Sequence, residues 1–362
     1  MKQRRHSARS EHPTHADVVS STLLWMLRML IPLAGHRDFI GVRGFSDDSL
    51  ARALGFHEWV DPEDRDFDAA VVRASLRDMH RQAERHADKA LPAILHANIA
   101  RLANLVGMSD AECRILAFAT LLHRERELDK AADTLGVLSS TAVCDVLSVV
   151  LELPMQDARA ALGMHGVLAR SGLLSIDRSR NAVLTSKLDL LSDQFADSIL
   201  ASETDPIALL RDTVAPSLPA RLALTDFPHL DSALAILKPY LTQAITTNRQ
   251  GVNIFVYGAP GTGKSELARA LAAALGCELF EVASEDEDGD PVNGERRLRA
   301  YRAAQSFFDR RQAMLLFDEV EDVFGDSSNL FGHKSTAQRR KAWLNRTLEQ
   351  NRVPTLWLSN SI

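Results

Sequence analysis

The sequence has few cysteines, no long apolar run and no large excess of either charge. Its three cysteines, Cys113, Cys144 and Cys277, lie far apart, and no C-x-x-C pair occurs. This pattern argues against a disulfide framework and against a zinc ribbon, and it predicts a reducing, cytoplasmic setting. The 12 histidines are scattered and form no H-E-x-x-H motif, so no zinc-peptidase site is predicted.

Charge and hydropathy narrow the class of protein further. A formal net charge of −6 and a pI of about 6.1 argue against a chain dominated by binding to nucleic acid or to anionic membranes. The most apolar early run, residues 22–35, contains Arg28 and Pro32 and is too short to span a bilayer. The basic tail, residues 1–17, lacks the apolar stretch of a signal peptide. It is predicted to be disordered, with a transit peptide as the alternative.

The pattern of the remaining chain predicts a helical region, a connector and an α/β domain. Residues 18–200 have apolar positions at helical spacing, and Ser109 and Glu112 form a capping-box pattern that begins one of the helices. Residues 201–229 contain several prolines and are predicted to be a connector. Residues 230–362 alternate apolar strands with helices, which is typical of a parallel sheet.

Within the helical region, residues 139–187 have the outline of a winged helix. Two predicted helices, separated by Pro154, precede two short predicted strands at 173–177 and 182–186. The helix in the recognition position is nearly neutral, whereas neutralisation of phosphates dominates DNA affinity. A structural role or contact with protein is therefore favoured over reading of DNA.

A glycine-rich turn in the α/β domain predicts a phosphate site. Residues 258–265, GAPGTGKS, match G-x-x-x-x-G-K-[ST] at every position. In this motif the glycines allow successive N–H groups to point at phosphate oxygens, the lysine reaches the β- and γ-phosphates and the Ser hydroxyl ligates Mg²⁺. The apolar strand before the turn and the helix after it support the assignment. The predicted binding residues are Gly258, Ala259, Pro260, Gly261, Thr262, Gly263, Lys264, Ser265 and Glu266.

A second apolar strand supplies carboxylates. Residues 314–317 lead directly into Asp318 and Glu319, and the carboxyl ends of parallel strands are where open α/β sheets bind ligands. We predict that Asp318 holds Mg²⁺ together with Ser265, and that Glu319 orients and deprotonates the attacking water. Glu321, two residues further on, is predicted to face solvent or a neighbouring subunit.

A third predicted strand ends at Asn360, whose side-chain amide can hydrogen-bond a γ-phosphate or the lytic water. In this order and spacing, GAPGTGKS, LLFDE and Asn360 resemble the Walker A, Walker B and sensor-1 elements of the AAA+ ATPase family. The resemblance covers about residues 225–362 and is to bacterial members with a long helical N-terminal region. It implies ATP and Mg²⁺ as ligands, and it implies ATP hydrolysis with Glu319, Lys264 and Asn360 as the catalytic residues.

The resemblance also implies an architecture and an assembly. The family's parallel sheet has the strand order 5-1-4-3-2, the complete protein forms a homo-oligomeric, usually hexameric, ring, and ATP drives the remodelling of a macromolecule, whose identity the sequence does not reveal. In the family, the last strand, the arginine finger and the helical lid follow sensor 1, whereas this sequence ends two residues after Asn360. We therefore expect a partial core, truncated after sensor 1, with an exposed first strand. Hydrolysis is expected to be slow, since an arginine finger contributes on the order of 10³–10⁵ in rate.

Two other functions remain open at this stage. In the first, the chain is a nucleotide-gated regulator or adaptor that acts through its helical region, with ATP as a ligand rather than a fuel. In the second it is a DNA-dependent ATPase, which the acidic overall charge disfavours. In the family that the sequence resembles, the loop after the second strand of the sheet carries an aromatic residue that grips a threaded polypeptide. The comparable stretch here, residues 285–297, has no aromatic residue, so the resemblance does not extend to that grip.

Overall fold

The computed structural model describes residues 15–60, 67–86, 90–178, 180–285, 289–324 and 341–360. Its α-helices are α1 His15–Leu30, α2 His36–Phe39, α3 Asp48–Ala53, α4 His57–Val60, α5 Ala69–His86, α6 Ala93–Val106, α7 Asp110–Arg124, α8 Arg126–Asp133, α9 Ser140–Val150, α10 Met155–Ala161, α11 Val167–Arg170, α12 Leu184–Lys187, α13 Asp193–Ala201, α14 Asp231–Thr246, α15 Lys264–Leu275, α16 Gly294–Phe307, α17 Glu321–Phe324 and α18 Lys341–Glu349. Its strands are β1 Leu174–Ile176, β2 Leu188–Leu190, β3 Val214–Pro216, β4 Asn253–Tyr257, β5 Glu278–Val282, β6 Ala313–Phe317 and β7 Thr355–Ser359, and its 3₁₀ helices are Pro206–Leu210, Leu224–Asp226 and Pro228–Leu230.

The N-terminal part is helical, as the apolar spacing predicts. Helix α7 lies at its centre, because residues 115–122 are all buried. The predicted capping box begins this helix: the Ser109 hydroxyl accepts from the Glu112 N–H at 3.3 Å, and the Glu112 carboxylate accepts from the Ser109 N–H at 2.9 Å. Helix α1 begins at His15, inside the predicted tail, and residues 1–14 lie outside the described residues. No described helix combines the length and the hydropathy that crossing a bilayer requires.

The pairing of strands in the segment 139–187 differs from the prediction. Strand β1 lies where it is expected, but its antiparallel partner is β2, after the segment. The strand predicted at 182–186 is wrong, because Leu184–Lys187 forms the short helix α12. This turn of helix brings the ammonium of buried Lys187 onto the carbonyls of Asp177 and Arg180, which satisfies a charge that is costly to bury alone.

A five-stranded sheet forms the C-terminal part, in the order β3-β5-β6-β7-β4. Strands β5, β6, β7 and β4 are parallel, and β7 lies between β6 and β4. The predicted position of the strand that precedes Asn360 is therefore confirmed. The predicted connector, 201–229, is more structured than expected, because it contributes β3, which pairs antiparallel with the outer side of β5.

Helices cover both faces of this sheet. Along β6, Met314 and Leu316 pack into an apolar cluster with α14 and α15, whereas Leu315 and Phe317 belong to the cluster shared with α16 and the helical region. Alternate residues of a strand point to opposite faces, so an unbroken apolar strand is needed where both faces are covered. The result is a layered α/β domain joined to the helical region through one face of its sheet.

The first parallel strand, β4, lies at one edge of the described sheet. Within the described residues it pairs only with β7, and the side chains of Phe255 and Tyr257 are 53% and 55% exposed. In the part of the chain that the structure describes, the other edge of β4 therefore has no partner strand.

The helical region meets the α/β domain at a close backbone contact. Gly172 has a φ of +70°, and a Cβ at this residue would lie 2.6 Å from the carbonyl oxygen of Arg299 on α16. The guanidinium of Arg299 in turn donates to the carbonyl of Leu190 at 2.7 Å and pairs with Asp189.

We expect Gly172→Ala to lower the free energy of unfolding by about 2 kcal/mol more than Gly107→Ala does. Gly107 has a φ of +79° with no atom near its Cβ position, so this control carries only the cost of a left-handed backbone, about 1–2 kcal/mol. Gly172→Ala adds overpacking, typically about 1–3 kcal/mol. Urea unfolding of both variants measures the difference, and equal losses would show that the two regions are not tightly joined here.

Candidate functional site

The glycine-rich turn, residues 258–263, connects β4 to α15 at the carboxyl edge of the sheet. Gly261 and Gly263 have φ values of +79° and +86°, which glycine adopts without strain. Gly263 is the N-cap residue of α15. The free N–H groups at the start of this helix therefore lie beside the glycine-rich turn. The N-terminus of a helix carries positive partial charge and attracts anions. The turn therefore has the backbone form that phosphate binding needs.

The ammonium of Lys264 lies at the centre of the site. It donates to the carbonyls of Gly258 and Ala259 at 2.9 and 3.1 Å, and to the side-chain oxygen of Asn360 at 2.9 Å. Because β7 lies beside β4, the end of β7 brings Asn360 to a lysine 96 positions earlier in the chain. The structure thus brings together two of the three predicted catalytic residues.

The predicted metal ligands also meet. The Ser265 hydroxyl donates to the Asp318 carboxylate at 2.9 Å, and the other carboxylate oxygen accepts from the Glu319 N–H at 2.8 Å. Hydroxyl and carboxylate oxygens are the ligands that Mg²⁺ prefers, and Mg²⁺ usually takes only one or two carboxylates and fills its shell with water and phosphate oxygens. This donor set fits Mg²⁺. Among the described residues, no group of three or more histidine, cysteine or acidic side chains is arranged so that it could hold a metal ion.

Glu319, the predicted base, lies at the rim of the site. It is exposed, and its φ of +50° is uncommon for a residue other than glycine. Its carbonyl accepts a hydrogen bond from the Arg297 guanidinium at 3.2 Å, and the carbonyl of Asp318 accepts from the same group. Two backbone carbonyls held by one buried cation account for the unusual conformation.

Arg297 was missed by the sequence analysis. It is fully buried, and its guanidinium lies 4.4 Å from the ring centroid of Phe317, within the range of a cation–π contact. Helix α16 contains four arginines, Arg296, Arg297, Arg299 and Arg302. Nothing in their spacing indicates that Arg297 is the buried one.

Glu321, which was predicted to face solvent or a neighbouring subunit, is half-buried and has partners within the chain. Its carboxylate accepts a hydrogen bond from the Ser359 hydroxyl at 2.6 Å and another from the N–H of Asn360. It lies at the start of α17, a turn after β6, and so it connects the ends of β6 and β7. The prediction did not include these contacts, because β7 brings two donors to a carboxylate that the local pattern marks only as polar.

Glu266 contacts the connector rather than the turn through its carboxylate. The Arg221 N–H donates to it at 2.9 Å, and the Arg269 guanidinium donates to it at 2.8 Å. These donors, with Arg221 the stronger influence, hold the pKa of the Glu266 carboxyl below its ordinary value. Glu266 therefore lies near the phosphate turn because it is in the first turn of α15. Its side chain, however, connects α15 to the connector, residues 201–229.

The site coincides with a match to a known family. Residues 254–361 match the model of the family described as "ATPase family associated with various cellular activities (AAA)", and this span runs from β4 to the residue after Asn360. The chain is also 29% identical over 138 residues to the genome polyprotein of Human klassevirus 1. That alignment covers 34% of this chain and 5% of the polyprotein, so the chain spans a small part of that relative's length.

Proposed function

We propose, from the membership of residues 254–361 in the AAA family of ATPases, that the chain binds ATP with Mg²⁺ and hydrolyses it. The observation that carries this proposal is the meeting of Lys264, Ser265, Asp318 and Asn360 at one edge of a parallel sheet. A lysine beside a glycine-rich turn and a hydroxyl beside a carboxylate supply the two halves of a site for a triphosphate and its metal.

Each side chain has a distinct task in this proposal. Lys264 binds the β- and γ-phosphates by transferring its hydrogen bonds from the carbonyls of the turn to phosphate oxygens. Ser265 and Asp318 would hold Mg²⁺, which neutralises charge on the phosphate oxygens when it is bound. Glu319 accepts the proton of the attacking water, and Asn360, whose backbone N–H is held by Glu321, presents its amide to the γ-phosphate or to that water.

We propose further that the complete protein is a cytoplasmic homo-oligomer, a hexameric ring, that remodels a macromolecule. Support for the ring and the remodelling comes from the family alone. For the segment 139–187, contact with protein remains our preference over reading of DNA. In the turn between the two strands predicted at 173–177 and 182–186, Arg178 donates to the carbonyl of Leu162 at 2.9 Å and Arg180 pairs with Asp177 at 3.6 Å. Both cations therefore already have partners within the chain.

Comparison of the wild-type chain with Glu319→Gln tests the proposed activity. Calorimetry is expected to show that both proteins bind ATP in the presence of excess Mg²⁺. Glu319 is exposed at the rim of the site, and the hydrogen bonds that hold it involve its backbone, so the substitution of its carboxylate leaves them in place. Release of phosphate by the variant is expected to fall at least about 100-fold, the lower range for loss of a general base. A wild-type chain without nucleotide uptake would refute the proposal.

The same variant separates hydrolysis from nucleotide gating. If ATP is only a ligand, Glu319→Gln keeps the cellular function of the protein while Lys264→Ala abolishes it. If hydrolysis is required, both variants lose that function. Stimulation of the wild-type turnover by duplex DNA would favour the DNA-dependent alternative.

A further inference from the structure

A cavity lies near the amino ends of the parallel strands, at the opposite end of the sheet from the phosphate turn. It has a volume of about 490 Å³ and is lined by the ends of α6, α11, α16 and α18 and by the loop that leads into β7. The loop residues Asn351 and Arg352 precede β7, whereas Asn360 follows it. Five residues of strand span roughly 17 Å, so this cavity is separate from the proposed ATP site. It lies where the helical region meets the α/β domain.

The charge of the lining is strongly positive. Four arginines contribute to it, and they come from four different segments of the chain: Arg170, Arg302, Arg346 and Arg352. Asp309 is the one carboxylate in the lining, and it pairs with Arg352 at 2.5 Å. Among the described residues, neither Arg170 nor Arg346 has an ion-pair partner. A concave site with uncompensated cations attracts anions, in a protein whose net charge is negative.

The lining also contains apolar side chains. These are Leu105 and Val106 from the end of α6, Met164 and Val167, and Met164 is 61% exposed, unusually high for a large apolar side chain. Guanidinium groups bind phosphate through planar, bidentate hydrogen bonds. Apolar side chains that include a methionine can pack against the face of a planar ring. The volume is in the range of small-molecule sites, about 300–1,000 Å³.

We propose that this cavity, the arginine pocket, binds a nucleotide unit, with its phosphate on the arginines and its base against Leu105, Val106 and Met164. The same chemistry is presented by a free mononucleotide and by one residue of a single-stranded nucleic acid. The pocket joins segments of the helical region to α16 and α18 of the α/β domain, so an occupant contacts both parts of the molecule. This binding does not depend on the proposed ATPase activity.

Two probes distinguish the sources of the nucleotide unit: thymidine monophosphate in calorimetry, and a short fluorescein-labelled oligothymidylate in anisotropy. Thymidine monophosphate lacks the β- and γ-phosphates that a Walker lysine holds, so it reports on the arginine pocket. Binding of the monophosphate assigns a free nucleotide, and binding of the oligonucleotide alone assigns a strand. In either case the affinity is expected to fall with added salt.

The double variant Arg170→Gln/Arg346→Gln is expected to bind the successful probe about 100-fold more weakly, about tenfold for each lost charged hydrogen bond. Both side chains are exposed, so the fold is expected to survive, which circular dichroism checks. Arg310→Gln, an exposed arginine outside the lining, is the matched control and is expected to bind as the wild type does.

Lys264→Ala separates this proposal from the proposed ATPase function, because it is expected to leave binding of the probe unchanged. If the wild type binds neither probe at about millimolar concentration, the arginine pocket is not a nucleotide site, whatever the result with ATP. Equal affinities of the double variant and the wild type would also overturn the proposal.

Discussion

Lys264→Ala is expected to weaken the binding of ATP with Mg²⁺ at least about 100-fold. The lysine ammonium contacts three oxygens of the protein within about 3 Å, and these are the hydrogen bonds that it can transfer to the β- and γ-phosphates. Hydrogen bonds from a charged donor contribute about 1.5–3 kcal/mol each, and two of them correspond to about a 100-fold loss or more.

The matched control for this substitution is Lys238→Ala. Lys238 is an exposed lysine on α14, away from the turn, and its removal changes the net charge by the same amount. Calorimetry on the three proteins measures the effect, and thermal unfolding checks that they are equally folded. Nucleotide affinity retained by Lys264→Ala would contradict the site, because the ammonium would then have no part in holding phosphate.

Arg297→Met is expected to lower the free energy of unfolding by about 3 kcal/mol. The methionine fills similar space but leaves the carbonyls of Asp318 and Glu319 without their charged donor, and hydrogen bonds from a charged donor contribute about 1.5–3 kcal/mol each. The contact with the Phe317 ring is lost as well. Denaturant unfolding measures this loss. The neighbouring residue supplies the control, since Arg296 is exposed and Arg296→Met is expected to change stability by less than about 0.5 kcal/mol.

The same variant distinguishes a positioning residue from a purely structural one. Arg297 holds the backbone of Glu319 but does not reach Lys264 or the turn in the described contacts. At a temperature where the variant is folded, its kcat for ATP is therefore expected to fall at least tenfold while its affinity for ATP stays within about threefold, because misplacement of a base by about 1 Å has a large effect on rate. An unchanged kcat in the folded variant would show that Arg297 serves stability alone.

The phosphate turn and the strand ends could be predicted because their signals are local. Gly261 and Gly263 have positive φ values, which glycine adopts without strain because it lacks a Cβ. The apolar run before Asp318 indicates a strand covered on both faces. The meeting of Lys264 with Asn360 followed from the strand order that the family resemblance implied. In each case a short stretch of sequence, or the order of strands in the sheet, is enough to predict where the residues lie.

Other features could not be predicted because they depend on partners far along the chain. The hydrogen bonds of Glu321 need the end of β7, 38 positions away. The burial of Arg297 rather than Arg296 depends on how α16 packs against β6, and four arginines in one helix do not specify its rotation. The strand predicted at 182–186 failed because buried Lys187 favours a turn of helix that reaches two carbonyls.

The sequence by itself determined the chemistry of one site: a glycine-rich turn, a lysine, a hydroxyl, two carboxylates and an amide, each at the end of a strand or the start of a helix. The tertiary structure alone decided which charges are buried, which carboxylate holds Asn360, and that arginines from four segments line a cavity between the helical region and the sheet. The physical reason is that backbone conformation at a turn depends on the residues of that turn, whereas burial and charge neutralisation depend on every segment that packs against a residue.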